Sequence, residues 1–212
     1  MIFKGKKVID ITLDIKSDMP VYPGDPKPVI EQICSIQEDG FALSAISVGS
    51  HTGTHVDAPS HIIEGGMSVD MLPPKNFIGR AILIDISHID SPIRDEHLDI
   101  VWNRFGTEKE IEILLLKTGA INSVKFADNF CLNEEIALWI YKKGIKTIGI
   151  DAFSIENMVG LPLHRKLLSS DVNIIECLNF KEVKEGIYTF ICLPLKITGC
   201  DGAPARAILI EE

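Results

Sequence analysis

The sequence predicts an α/β or α+β chain dominated by mixed sheet. Three observations carry that expectation. Runs of the length and pattern of strands recur along the chain, about nine in all. Only two to four segments carry helix start and stop signals. One run, Ile111 to Lys117, is nearly all apolar, as expected of a central strand buried on both faces. At 212 residues the chain suits one domain, 1–212, large enough to bury a core without disulfide or metal support.

In chain order, Ile9, Ile11, Leu13 and Ile15 alternate with Asp10, Thr12, Asp14 and Lys16, the period of a half-buried strand. Pro20, Pro23, Gly24, Pro26 and Pro28 make the next stretch an ordered loop. Val29 to Ile36 and Ala42 to Val48 read as two strands joined by a turn at Asp39–Gly40. Gly49 to Gly66 is rich in Gly, Ser, Thr, Pro and His and reads as a long irregular segment, a type that is often functional. Arg80 to Ile86 is a strand. Ser91–Pro92 opens a helix to about Arg104, with Gly106 as its stop. Asn133 caps a helix from Glu134 to Lys143, which Gly144 ends. Thr147 to Asp151 is a strand, Pro162 to Ser169 a short helix, and Val172 to Cys177 a strand. Ile187 to Leu195 and Ala205 to Ile210 are the last strands.

Composition excludes several function classes. Net charge is -9 with no basic block, which argues against a nucleic-acid partner. Apolar runs such as Ile113 to Leu116 are far too short to span a bilayer, which takes about 20 residues. No secretory pattern follows Met1. The five cysteines, Cys34, Cys131, Cys177, Cys192 and Cys200, are odd in number, scattered and free of any CxxC pair. They read as reduced thiols, and the expected compartment is the cytosol.

The chemistry concentrates in 51–61, where His51, His55, Asp57 and His61 occur within eleven residues. Two imidazoles and a carboxylate suit zinc, manganese or iron. Gly53 and Pro59 argue against a helix, so the ligands would converge on a tightly folded loop. Spacing alone leaves a metal site and a solvated polar loop both open. His164, beside a helix start, reads as ordinary. Glu176 sits between Ile174–Ile175 and Cys177–Leu178, and a buried Glu needs a partner, whether a cation side chain or a metal. His88 and His97 read as surface residues.

The segment His51-Thr-Gly-Thr-His55-Val-Asp57-Ala-Pro59-Ser-His61 resembles the HxGTHxDxPxH signature of the cyclase-like metal-dependent hydrolases, which include bacterial kynurenine formamidase and isatin hydrolase. Further blocks follow the family's order. They are Pro20 to Pro26, Asp151 to Ser154, His164, Leu167–Leu168, Glu176, and Gly199 to Arg206. The resemblance implies a swivelling β/β/α fold with a barrel-like sheet, in dimers or larger homo-oligomers such as tetramers. It implies two divalent metal ions per chain, zinc or manganese. His51, His55 and Asp57 would hold one, His164 and Glu176 the second, and Asp57 would bridge. His61 would be the acid/base residue, off the metals. The implied reaction is hydrolysis of a small-molecule amide of arylformamide type, such as N-formylkynurenine. Opening of a cyclic amide, a lyase reaction, and metal binding without turnover are the alternatives. Tyr22 would touch substrate, and here the sequence departs from kynurenine formamidase, where the resemblance places a Trp.

Overall fold

The structure is a computed structural model and describes residues 5–89, 93–105, 111–122, 132–156 and 158–212. Four of its strands are parallel: β5 (Ile78–Asp85), β6 (Ile113–Lys117), β7 (Thr147–Ile150) and β8 (Asn173–Glu176). Parallel neighbours need crossover connections, and α2 (Asp95–Arg104), α3 (Glu134–Lys142) and α4 (Pro162–Leu168) supply them. Three antiparallel strands, β4 (His55–Asp57), β9 (Gly186–Pro194) and β10 (Gly202–Glu211), complete the sheet. Because β9 pairs with both β5 and β10, while β4 joins β10 to β8, seven strands close into a ring. The short β1 (Val8–Asp10) adds to the outside of β10.

Both faces of this sheet are buried, which is why the parallel strands lack polar alternation. Along β5, Ala81 and Leu83 face the barrel interior, packed with Val56, Leu115, Ile175 and Phe190. Ile82 and Ile84 face outward into a second core under the helices. In α3 the buried residues Ile136, Ala137, Trp139 and Ile140 form one stripe at helical spacing. Asn133 caps that helix by accepting from the N–H groups of Glu135 and Ile136. The Trp139 ring meets Trp102 edge-on, with centroids 5.3 Å apart. Gly149 faces inward, against Leu115 and Leu178. A Cβ there would sit 2.7 Å from both Leu115 Cδ2 and Leu178 Cδ1.

The expected mixed, barrel-like sheet with flanking helices is the observed fold, and three local readings need correction. The N-terminal strand ends at Asp10 rather than Ile15. Thr12 then spends its hydroxyl on Ala207, accepting from its N–H and donating to its C=O, in place of a continued ladder. The segment 49–66 is not wholly irregular, because it contains β4. That strand escaped notice because two of its three residues are polar yet buried. The link between β2 (Val29–Cys34) and β3 (Leu43–Ser47) is a one-turn helix, α1 (Ile36–Asp39), not a simple turn. Ser35 caps it, and Gly40 closes it at φ 80°. Of the other expectations, Ser91, Pro92, Gly106 and Cys131 lie outside the described residues. Cys177 and Cys192 are buried, Cys34 and Cys200 half-buried, and all four are free thiols.

The hairpin β2–β3 stands apart from the barrel, with nearly every residue of both strands exposed. No helix among the described residues is long and apolar enough to cross a membrane.

Candidate metal centre

Successive side chains of a strand point to opposite faces. On β4, Val56 enters the barrel, so His55 and Asp57 point outward together. β8 runs antiparallel beside it and sets Glu176 directly opposite His55. The chain leaves β8 sharply at Cys177, a non-glycine residue at φ 57°. Thr54 fixes that turn by donating to the Cys177 carbonyl at 2.6 Å. His164 comes from the first turn of α4, His51 from the bend before β4, and His61 from a 3₁₀ turn, Pro59–His61.

These elements bring five of the expected side chains together. His51 Nδ1 lies 2.9 Å from Asp57 Oδ1, and His55 Nε2 lies 3.3 Å from the same oxygen. His164 Nε2 lies 3.2 Å from Glu176 Oε1 and 3.7 Å from Asp57 Oδ2. Three groups result, His51–His55–Asp57, Asp57–His164–Glu176 and His51–His61–Asp201, each with ligand atoms within 4.8 Å of one another. Asp57 belongs to the first two, both of them largely buried. His61 belongs only to the third, which has no buried member. Its ring lies 4.2 Å from that of His51, and its Nδ1 is 3.5 Å from Asp201 Oδ2. Tyr22 lines the same cleft, about 420 Å³ in volume, as do Phe153 and the four histidines His51, His55, His61 and His164. His88 is exposed, and His97 is half-buried at the start of α2, its Nδ1 accepting from the N–H of Arg94.

A divalent cation suits this donor set. Asp57 and Glu176 are buried carboxylates side by side, an expensive arrangement without positive charge nearby. His55 Nε2 and Asp57 Oδ2 are buried and have no hydrogen-bond partner. Without metal, protons supply the positive charge. Burial works against a charged His164, but hydrogen bonds to Glu156 and Glu176 and the fields of Glu176 and Asp57 lift its pKa to about 10. His55 is buried too, yet Asp57, Cys177 and Glu176 hold it well above the ordinary histidine value. Burial alone would raise Asp57, and the two imidazoles His51 and His55 draw it well below the usual carboxylate range.

The ring nitrogen that faces away from the cluster also has a partner in each case. His55 Nδ1 donates to the Gly53 carbonyl at 2.8 Å. Gly53 itself turns at φ 65°. His164 Nδ1 lies 2.8 Å from Glu156 Oε1, and the His164 backbone N–H donates to the same oxygen at 2.7 Å. His51 Nε2 lies 2.9 Å from Asp201 Oδ2. Such outer contacts orient metal-binding imidazoles and fix their tautomers. Sequence reading missed Glu156 altogether and gave Asp201 no role. Neither belongs to the cluster of 51–61, and only the tertiary fold places them behind His164 and His51.

Comparison with known proteins identifies the family. The family model described as "Putative cyclase" matches residues 9–157. Kynurenine formamidase from Bacillus cytotoxicus is 34% identical over 211 residues, covering 97% of this chain and 98% of that protein. The structure of a predicted metal-dependent hydrolase from Bacillus stearothermophilus superposes with a TM-score of 0.82 at 34% identity, covering 98% of this chain and all of that one. Isatin hydrolase A from Labrenzia aggregata, solved with benzyl benzoate, gives a TM-score of 0.84 at 25% identity over 97% of this chain and 93% of its own. On sequence and fold together, the chain belongs to the cyclase family of metal-dependent hydrolases.

Proposed function

We propose that this protein is a metal-dependent amide hydrolase of arylformamidase type, acting on a substrate such as N-formylkynurenine. The observation that carries the reading is one buried carboxylate, Asp57, shared by two ligand groups that border a cleft with aromatic residues in its wall. Kinship with kynurenine formamidase, full length on both sides, supports the substrate class.

We assign His51, His55 and Asp57 as the residues that would hold one divalent ion, and His164 and Glu176, sharing Asp57, as those that would hold a second. The ions are zinc or manganese, which imidazole and carboxylate donors both suit. When bound, such ions ionise water near neutral pH and polarise a carbonyl. The protein's own groups do the rest. His55 and His164 give up the protons they carry in the metal-free site, and their Gly53 and Glu156 contacts keep the freed lone pairs aimed inward. His61, half-exposed and outside both groups that contain Asp57, delivers a proton to the departing nitrogen. Tyr22 and Phe153 give the cleft an aromatic wall against which an aryl ring can pack.

Tyr22 favours a second reading. It is smaller than Trp and adds a hydroxyl, so its cleft differs from one walled by Trp, and a cyclic amide such as isatin is the second substrate to test. Purified protein loaded with zinc or with manganese, assayed on N-formylkynurenine, formanilide and isatin, separates the two. Fastest turnover of N-formylkynurenine or formanilide supports the first reading, and fastest turnover of isatin the second. Turnover of none of them removes both.

We read residues 1–212 as one domain that works as a homo-oligomer, a dimer or tetramer, in the cytosol. Four free cysteines among the described residues suit a reducing compartment. Support for self-association comes from the hairpin β2–β3. Ile33, Ile36, Phe41 and Ile46 are 54%, 65%, 55% and 67% exposed. An isolated two-stranded hairpin is marginal in water unless something packs on it.

A further inference from the structure

Asp201 stands at the turn that leads into β10, at a point pinned twice to the other side of the site. Its carbonyl accepts from the Ala58 N–H at 2.9 Å, and the neighbouring Cys200 carbonyl accepts from Val69 at 2.9 Å. Gly202, the next residue, pairs with Asp57 in the β10–β4 ladder. The side chain of Asp201 is thereby held behind His51, with Oδ2 2.9 Å from His51 Nε2 and 3.5 Å from His61 Nδ1.

His51 has a problem that this contact solves. Its Nδ1 faces Asp57 Oδ1 at 2.9 Å, in the group that also holds His55. A neutral imidazole carries one proton, on either nitrogen. Placed on Nδ1, that proton would bond to Asp57 and leave His51 no inward lone pair for a metal. Placed on Nε2, it is donated to Asp201, and Nδ1 is free to ligate. Gly202 completes the seat, because a Cβ there would come within 2.9 Å of His51 Cε1 and 2.8 Å of the Val56 carbonyl. The ring therefore lies against bare backbone on one side, with Asp201 at its far nitrogen.

We propose that Asp201 is a positioning residue for the metal centre. It holds His51 as the Nε2–H tautomer with Nδ1 free for metal, and the same oxygen steers the His61 imidazole at the cleft. This rests on the assignment of His51 and Asp57 as ligands. It gives Asp201, which lies with His51 and His61 in the third and most open of the potential ligand groups, the role of orienting those two imidazoles rather than of ligating.

The test uses chelator-stripped full-length protein titrated with zinc, by calorimetry or against a chromophoric chelator, and ¹⁵N NMR of the histidine rings. In the zinc-loaded parent, His51 should be protonated at Nε2. Protonation at Nδ1 overturns the proposal without any variant. Asp201→Ala should keep the parental number of zinc ions, bind them about 10–100-fold more weakly, and lose the single-tautomer signature of His51 in the metal-free state. Asp201→Asn, whose amide oxygen can still accept from Nε2–H, should weaken binding less. Parental affinity in both variants, with Asp57→Ala still losing metal, overturns the role of Asp201 and leaves the ligand assignment intact. Asp57→Ala binding zinc like the parent would instead sink the ligand assignment. Loss of one whole ion from Asp201→Asn, with the remaining ion at parental affinity, would make Asp201 a ligand and also overturn the proposal.

Discussion

His55 on β4 and Glu176 on β8 are direct cross-strand partners, with His55 Nε2 3.6 Å from Glu176 Oε2. The candidate metal centre is therefore written into the register of the sheet. Sliding β4 by one residue would turn His55 and Asp57 into the barrel, away from Glu176, and bring Val56 out in their place.

Asp57 is the residue with most to lose. Asp57→Ala removes the carboxylate common to both ligand groups. The expected result is metal content below half that of the parent and activity down by at least about 10²-fold. Elemental analysis of protein purified without chelator, alongside the amidase assay, checks it.

His61→Ala should separate metal binding from turnover. The side chain belongs to neither Asp57 group. Metal content should stay close to parental while kcat falls by about 10²-fold or more, the usual range for a lost acid/base group. Metal loss in proportion to activity would mean that His61 is itself a ligand.

The metal-free protein should lose stability as pH rises. The folded pKa of His164, about 10, lies above its ordinary value of 6.5. The group's contribution is thus fully present below about pH 6.5 and fades as pH climbs through about 10. Metal needs the deprotonated ring, so loading should remove this dependence and release protons. Thermal unfolding between pH 6 and 10, with and without chelator, reads both effects. A flat profile in chelator would refute the protonated pair.

Gly149→Ala should destabilise the barrel by about 1–3 kcal/mol, the usual cost of overpacking a tight core. The added methyl meets the side-chain ends of Leu115 and Leu178, both fully buried. Urea denaturation measures it, and an unchanged midpoint would show that the core yields more readily than its packing implies.

Lysine at Ile33 and Ile46 together should lower the solution mass. These two residues of the hairpin are more than half exposed, one on each strand. Light scattering of Ile33→Lys/Ile46→Lys against the parent checks the association, with little change expected in the melting of the barrel itself.

How much of this was legible in the sequence depended on how local the signal was. The helix from Glu134 was legible because its cap, apolar stripe and terminating glycine lie within a dozen residues. The apolar strands β5 to β8 were legible from continuous hydrophobic runs. In the site, the spacing of His51, His55 and Asp57 pointed to metal chemistry, and family resemblance added His164 and Glu176. β4 was not legible, because a buried strand made of His, Val and Asp lacks the apolar pattern that marks strands. Asp201 had no readable role because it meets His51 across 150 residues of chain. Glu156 lies only eight residues before His164, but nothing in that spacing announces a contact that depends on how α4 docks.

The three-residue β4 is the shortest strand of the ring, and it joins the parallel half of the barrel to the antiparallel half. A ring is only as closed as its weakest joint. Ligands drawn from β4, α4 and β8 would let bound ions act as a clasp across that joint, tying together stretches more than a hundred residues apart in the chain. Removing the ions would then do more than silence chemistry. Amide protons of 55–57 and 174–176 should exchange with solvent sooner than those of β5 and β6, as the barrel begins to open like an unfastened bracelet.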